Sequence, residues 1–292
     1  MSIPNVVRQA AGAAVLTLAA ASAQAVVLVG LTSANEIARF DTANIAGATM
    51  VTITGLGAGD RFVGIDLRPS NNLIYGVTLS NQLYTVNEMT GVATFVAGLS
   101  TSIVNASLGY GIDFNPVNDF SGTTSLRFVS SAGGNFAINA NTGAVGNTAN
   151  TIAAGYSGVA YTNSVPLPSA APPSTALYYI DSNNDTLSVA ATAFNTPTIT
   201  IVGSLGVDVL RANGFEILGN GQAYAAFNVD AGTSLATGIY GINLSTGAAT
   251  LIGTYNGTLS GLTVSAVPEP GSYALRGVGM LAMAGLRRRR HA

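Results

Sequence analysis

The chain of 292 residues has no cysteine, no tryptophan and no lysine, and its one histidine, His291, is the penultimate residue. No disulfide framework and no Cys/His zinc site can be built from such a sequence. Cys-His and Ser-His-Asp chemistry is excluded from any part that lacks His291. Charged side chains make up only 8% of the residues and hydrophobic ones 48%, so charge does not hold the chain unfolded and a packed core must stabilise it. Residues 26–266 carry five arginines (Arg39, Arg61, Arg68, Arg127 and Arg211) against twelve acidic residues, a net charge of −7. A body this acidic lacks the cations that phosphate contacts require, and no nucleic-acid partner is expected.

What is present begins with two distinctive ends. Residues 1–25 hold one charge, Arg8, then an apolar run from Ala10 to Ala21, then Ala23-Gln24-Ala25. This is the order of a secretory signal helix, with cleavage specified by Ala23 and Ala25. Residues 267–292 read Val267-Pro268-Glu269-Pro270, a mostly apolar stretch to Leu286, then Arg287, Arg288, Arg289 and Arg290. The prolines stop the preceding strand, and the arginines mark the cytoplasmic end of an inserted helix. The 16 residues from Gly271 to Leu286 include Arg276 and fall short of the roughly 20 that span a bilayer.

The order Pro-Glu-Pro, apolar helix, arginine cluster resembles the PEP-CTERM sorting signal of exopolysaccharide-producing Gram-negative bacteria. The resemblance implies an exosortase as processing partner, the inner membrane as a way station, and a final place at the cell surface or outside the cell. Val267 to Pro270 would be the sorting motif and Arg287 to Arg290 the topology signal. Arg276 departs from the usual uncharged helix and would reach towards the headgroups.

The middle repeats itself. One unit is an alternating strand, a Thr-Gly turn and a second strand: Gln82 to Asn87 with Thr90 to Val96, and Gly238 to Asn243 with Thr246 to Ile252. Phe136 to Asn139 with Thr142 to Val145, Leu177 to Asp181 and Ile37 to Asp41 read as weaker copies. A second unit precedes each hairpin: Gly64-Ile65-Asp66, Gly111-Ile112-Asp113, Gly158-Val159-Ala160, Gly214-Phe215-Glu216 and Gly261-Leu262-Thr263, spaced by 47, 47, 56 and 47 residues. The long interval contains the proline-rich insertion Pro166 to Pro173, expected in a surface loop. This period predicts an all-β propeller of about five four-stranded blades over residues 26–266. The Ile37 hairpin lacks a preceding Gly-Ile-Asp strand and the strand at 259–264 lacks a following hairpin, so the two chain ends should pair and close the ring.

Gly-Ile-Asp-Φ-Arg-Pro at Gly64 to Pro69, Gly111-Ile112-Asp113-Phe114-Asn115-Pro116, and the Thr-Gly-x-Ala-Thr hairpins also resemble the bacterial DUF4394 domains. That resemblance implies the fold and carries no activity, catalytic residue or cofactor with it.

Asp66 and Asp113 hold equivalent places in successive blades. They either accept backbone N–H bonds at their own turns or line a channel and bind an ion or polar ligand. Asp181, Asn183 and Asp185 place oxygens at positions 1, 3 and 5 of a calcium-type loop, but Thr186 and Ala193 stand where its Gly and Glu belong, which favours a polar turn. Tyr84, Tyr178, Tyr179 and Tyr240 recur in the hairpins, as core packing or as a sugar-stacking platform. With no catalytic side chain singled out and no cofactor or metal expected, the domain reads as a non-enzymatic scaffold or binding module, exported and associated with extracellular polysaccharide. The alternative is a glycan-active enzyme using the Asp66–Asp113 carboxyl pair.

Overall fold

The Thr-Gly turns show how sequence becomes blade. In the turn after Val86, Asn87 Oδ1 accepts the N–H groups of Met89 and Thr90, and Gly91 N donates to the Asn87 carbonyl. Gly91 then sits at φ +71°, a conformation glycine adopts without steric cost. A Cβ there would lie 2.1 Å from the Thr52 carbonyl oxygen, so the turn is seated directly on the outer strand before it. Asn243 and Gly247 build the same turn, against Gly203.

In the computed structural model, residues 25–267 are described apart from 122, 124–125, 211–212 and 230–235. The signal helix except Ala25, and the sorting tail beyond Val267, lie outside the described residues. Among the described residues no helix is long and apolar enough to cross a membrane.

The strands are β1 (Val27–Thr32), β2 (Glu36–Asp41) and β3 (Asn44–Thr52), followed by four complete blades. The first of these is β4 (Phe62–Arg68), β5 (Leu73–Thr78), β6 (Gln82–Val86) and β7 (Ala93–Gly98). The second is β8 (Tyr110–Phe114), β9 (Leu126–Ser130), β10 (Asn135–Ile138) and β11 (Val145–Gly146). The third is β12 (Tyr156–Tyr161), β13 (Leu177–Asp181), β14 (Thr186–Ala190) and β15 (Thr200–Ser204). The fourth is β16 (Asn213–Ile217), β17 (Ala223–Phe227), β18 (Thr237–Ile242) and β19 (Ala249–Tyr255), and β20 (Leu259–Val264) ends the array. β20 pairs with β1, Leu28 opposite Val264, to give the fifth sheet, β20-β1-β2-β3. The five-bladed propeller closed by both chain ends is therefore the observed fold.

Each interface between blades has its own core. Tyr75, Val77 and Leu83 pack on Ile112, Phe114 and Phe128, and Ile180 and Leu187 pack on Phe215, Ile217 and Phe227. Side chains alternate between the two faces of every strand, so each blade supplies half of two cores.

Two details of the repeat differ from expectation. Leu177–Asp181 is the second strand of its blade, not a copy of the third strands β6 and β18. The proline-rich insertion lies between β12 and β13, inside the blade, and this displaces the apparent alignment. Tyr178 and Tyr179 consequently do not share a place with Tyr84 and Tyr240. Tyr84 packs edge-on against Phe62 and Phe95, and Tyr240 packs beside Phe227, both as core residues.

Candidate functional site

The innermost strands β4, β8, β12, β16 and β20 stand in a closed circle, each against the next. Their inward edges have no strand partner, so their N–H groups need other acceptors. The recurring Gly-Φ-acid unit supplies them. Within it the Gly and the acid, two residues apart, share a face turned to the next blade. The Gly lets that blade approach and the acid takes its amide. Asp66 Oδ2 accepts Phe114 N at 2.7 Å, Asp113 Oδ1 accepts Tyr161 N at 3.0 Å, Glu216 Oε2 accepts Val264 N at 3.2 Å, and Thr263 Oγ1 accepts Leu67 N at 3.0 Å. The expectation that Asp66 and Asp113 serve their own turns is thus corrected: the donors belong to the following blade.

One member of the ring has no acceptor, Ala160, and the amide that would face it is Ile217 N. That N–H lies close enough to the Glu216 carboxylate of its own strand to favour the charged form. Glu216 thus lies beside the amide that Ala160 leaves unserved while accepting Val264 N from the following blade. Glu216 escapes a search for repeated aspartates, although its place in Gly214-Phe215-Glu216 is visible.

The outcome is three carboxyls, Asp66, Asp113 and Glu216, 3%, 2% and 2% exposed, with one oxygen of each lying within 4.8 Å of the others. Burial raises the pKa of all three. For Asp66 the charge of Glu216 adds to the effect, and for Asp113 the charges of Asp66 and Glu216 do so. Thr263 Oγ1 lies 2.9 Å from Asp66 Oδ1 and 2.8 Å from Glu216 Oε2 while accepting Leu67 N. A hydroxyl has one proton and two lone pairs. A single hydroxyl proton serves both short contacts only by being shared, whereas a protonated carboxyl that donates back gives each contact its own proton and completes the hydroxyl's valence. The cluster is thus arranged to hold a proton between blades.

The pair is not arranged for glycosidic chemistry. Retaining and inverting hydrolases separate their carboxyls by roughly 5 Å or more around a sugar. The gap beside this cluster, walled by Ile65, Ile112, Val159, Phe215 and Leu262, is about 10 Å³. In the calcium-type loop, Asp181 Oδ1 accepts Asn183 N and Asn184 N and its Oδ2 accepts Asn184 Nδ2, while Asp185 Oδ1 turns away to Val209 N. The oxygens of Asp181 and Asp185 therefore serve different neighbours.

A five-bladed propeller, closed by its own termini and tied through a buried carboxyl cluster, is the class of protein that these features define. The chain matches the domain of unknown function DUF4394 over residues 36–263 and belongs to that family. No curated protein matches it. Among solved structures it is similar to a calcium-binding protein, regucalcin, from Agrobacterium tumefaciens (13% identity, 77% of this chain and 68% of that one, TM-score 0.39). It is also similar to a candidate 6-phosphogluconolactonase from Bacteroides fragilis (11%, 80% and 82%, TM-score 0.41). A third is a protein of unknown function from Bacteroides thetaiotaomicron (12%, 80% and 58%, TM-score 0.47). The expectation of a non-enzymatic domain is not kept: structures described as candidate 6-phosphogluconolactonases stand among the similar ones at 11% identity, and the lack of His and Cys leaves carboxyl chemistry open.

Proposed function

We propose that this is an exported protein of the cell surface or extracellular matrix, in which the propeller is a rigid binding module associated with exopolysaccharide. The observation that carries this reading is how the body finishes. Because β1 and β20 are paired neighbours, the segments before residue 26 and after residue 266 leave the ring side by side. Buried Glu88 pins the exit: it accepts Ser265 Oγ at 2.7 Å and Val267 N at 3.1 Å while paired with Arg39 at 3.2 Å. Every blade is complete between those points, so removing a leader at Ala25 and a tail at the Pro-Glu-Pro motif would leave the folded body whole. Sequence order at both ends, read with the PEP-CTERM resemblance, supplies the address.

Intact mass and fractionation in the native host test this. The expected product begins at Val26, ends near Pro270 and lies outside the inner membrane. An uncut protein retained in the inner membrane would overturn the surface role.

A further inference from the structure

Arg127 breaks the repeat. Across from the five ring positions the neighbouring strand carries Tyr75 opposite Asp66, Tyr178 opposite Ala160, Tyr224 opposite Glu216, Val29 opposite Thr263 in the blade made from both ends of the array, and Arg127 opposite Asp113. Arg127 is the charged member of that set.

The environment of Arg127 is also unusual for a cation. The residue is 3% exposed, and no carboxylate lies within 4 Å among the described residues, whereas buried Arg68 is paired with Asp119 at 2.7 Å. Arg127 donates only to neutral oxygens: Nε to Tyr161 Oη at 3.3 Å, one terminal nitrogen to Asn135 Oδ1 at 3.0 Å, the other to Asn195 Oδ1 at 3.0 Å. Those bonds use three of its five N–H groups. A buried guanidinium without an anion is energetically unfavourable until an anion arrives.

The same side chain lines an open cleft of about 580 Å³ between the blade of β8–β11 and the loop after β14. That volume is within the range of small-molecule sites, about 300–1,000 Å³, and far exceeds an inorganic ion. Asn118, Asn139, Asn195 and Thr196 contribute amides and hydroxyls that both donate and accept, Phe194 contributes an apolar wall, and no lining residue is acidic. The loop is held in place from the opposite blade. Asn135 Nδ2 donates to the Phe194 carbonyl at 3.0 Å and Asn147 Nδ2 to the Asn195 carbonyl at 2.9 Å. It also contains Ala193 at φ +56°, a left-handed conformation unfavourable for alanine.

We propose that this cleft binds a carboxylate-bearing saccharide, a uronic acid residue of an acidic polysaccharide, with Arg127 taking the carboxylate and the asparagine-lined wall taking the hydroxyls. The planar guanidinium fork matches a carboxylate, and paired donor-acceptor groups match a polyol. This deepens the exopolysaccharide reading above and rests on it for the source of the ligand.

The test is calorimetric titration of the protein purified from its host with oligogalacturonate, with neutral galactose oligomers of equal length, and with acetate. Oligogalacturonate is expected to bind one per chain, at least tenfold more tightly than either of the others. Arg127→Lys, which keeps the charge and loses the fork, should weaken it at least tenfold. Because Arg127 lies in the core, the exposed-site variants Asn118→Ala and Thr196→Ala supply an independent readout, each expected to weaken binding severalfold at unchanged melting temperature. Equal affinity for the neutral oligomer, equal affinity for acetate, absence of saturable binding, or unchanged affinity in both of these variants would overturn the proposal. Failure here with the protein found outside the inner membrane removes the ligand assignment alone, whereas an inner-membrane protein that binds oligogalacturonate removes only the surface role.

Discussion

The melting temperature should fall as pH rises from about 4 towards 8, the reverse of most globular proteins, and Asp113→Asn or Glu216→Gln should flatten that fall. Asp66, Asp113 and Glu216 all have carboxyl pKa values raised by burial, Asp66 also by the charge of Glu216, and Asp113 by the charges of Asp66 and Glu216. The groups in hydrogen-bond contact with them are neutral: the Thr263 hydroxyl and the backbone N–H groups of Phe114, Tyr161 and Val264. The Arg127 cation stands opposite Asp113 on β9 but forms no ion pair within 4 Å with a carboxylate among the described residues, and donates to the Tyr161 phenol, itself raised by burial. Above the ordinary carboxyl pKa of about 4 the unfolded chain has released these protons while the folded cluster keeps them, so the folded state binds more protons there. Stability from a raised acid is complete below the unfolded pKa and is lost as pH climbs through the folded one. Each retained proton contributes a slope of up to about 1.4 kcal/mol per pH unit across that window. In Asp113→Asn the amide oxygen would still accept Tyr161 N, and in Glu216→Gln it would still accept Val264 N, in both cases without a charge to bury. The variants should therefore match the parent near pH 4 and exceed it by about 1–2 kcal/mol at pH 8. Thermal melts from pH 4 to 8 decide the matter. A parent profile that rises with pH, or a parent stabilised at pH 8 by millimolar calcium chloride when Asp113→Asn is not, would replace the shared proton by a shared cation.

The cluster shows what the sequence discloses and what it withholds. The 47-residue spacing of Gly64, Gly111 and Gly158 and of Gly214 and Gly261 marks the inner strands, because each occupies one place in a blade and the blades are nearly identical in length. Closure by the two ends is equally legible, since a lone hairpin at Ile37 and a lone strand at Leu259 leave two edges that satisfy each other. The direction of the hydrogen bonds is not legible. Nothing local to Asp66 tells that its acceptor atoms serve Phe114, 48 positions away, because that contact depends on how one blade is rotated against the next. Glu216 illustrates a subtler loss: it looks like divergence from aspartate until Ala160 is seen to leave an amide unserved. Arg127 belongs to no motif, and its oddness emerges only once strand register sets it beside Tyr75, Tyr178 and Tyr224. The hairpin tyrosines misalign in the sequence for a related reason, since an insertion inside one blade shifts every later position in that blade.

The inner-strand glycines should not be equivalent under substitution, although the repeat makes them look so. At Gly214 an added methyl would lie 2.4 Å from Leu262 Cβ and 2.5 Å from Leu262 N. At Gly111 it would lie 2.6 Å from Val159 N and 2.8 Å from the Gly158 backbone. Backbone atoms of an adjacent blade cannot rotate aside, so the ring itself would have to widen, breaking the Tyr161–Asp113 or Val264–Glu216 bond at the same place. Overpacking of this kind costs about 1–3 kcal/mol, and the lost buried hydrogen bond adds about 1–3 more. Gly111→Ala and Gly214→Ala are therefore expected to lose about 3 kcal/mol or more. Gly64 meets only Ile112 side-chain atoms, the nearest at 3.2 Å, and a rotamer change would absorb part of the strain. At Gly261 the nearest atom is Leu31 Cβ at 3.4 Å, an ordinary contact, and Gly57, with nothing within 4 Å, is a neutral control. Chemical denaturation of the five alanine variants should rank Gly111 and Gly214 as most damaging, Gly64 between, and Gly261 and Gly57 near the parent. Equal losses at Gly214 and Gly261 would mean that the glycines serve the unfolded chain or the folding route rather than the close approach of neighbouring blades, and the tight ring around the carboxyls would lose its stated cause.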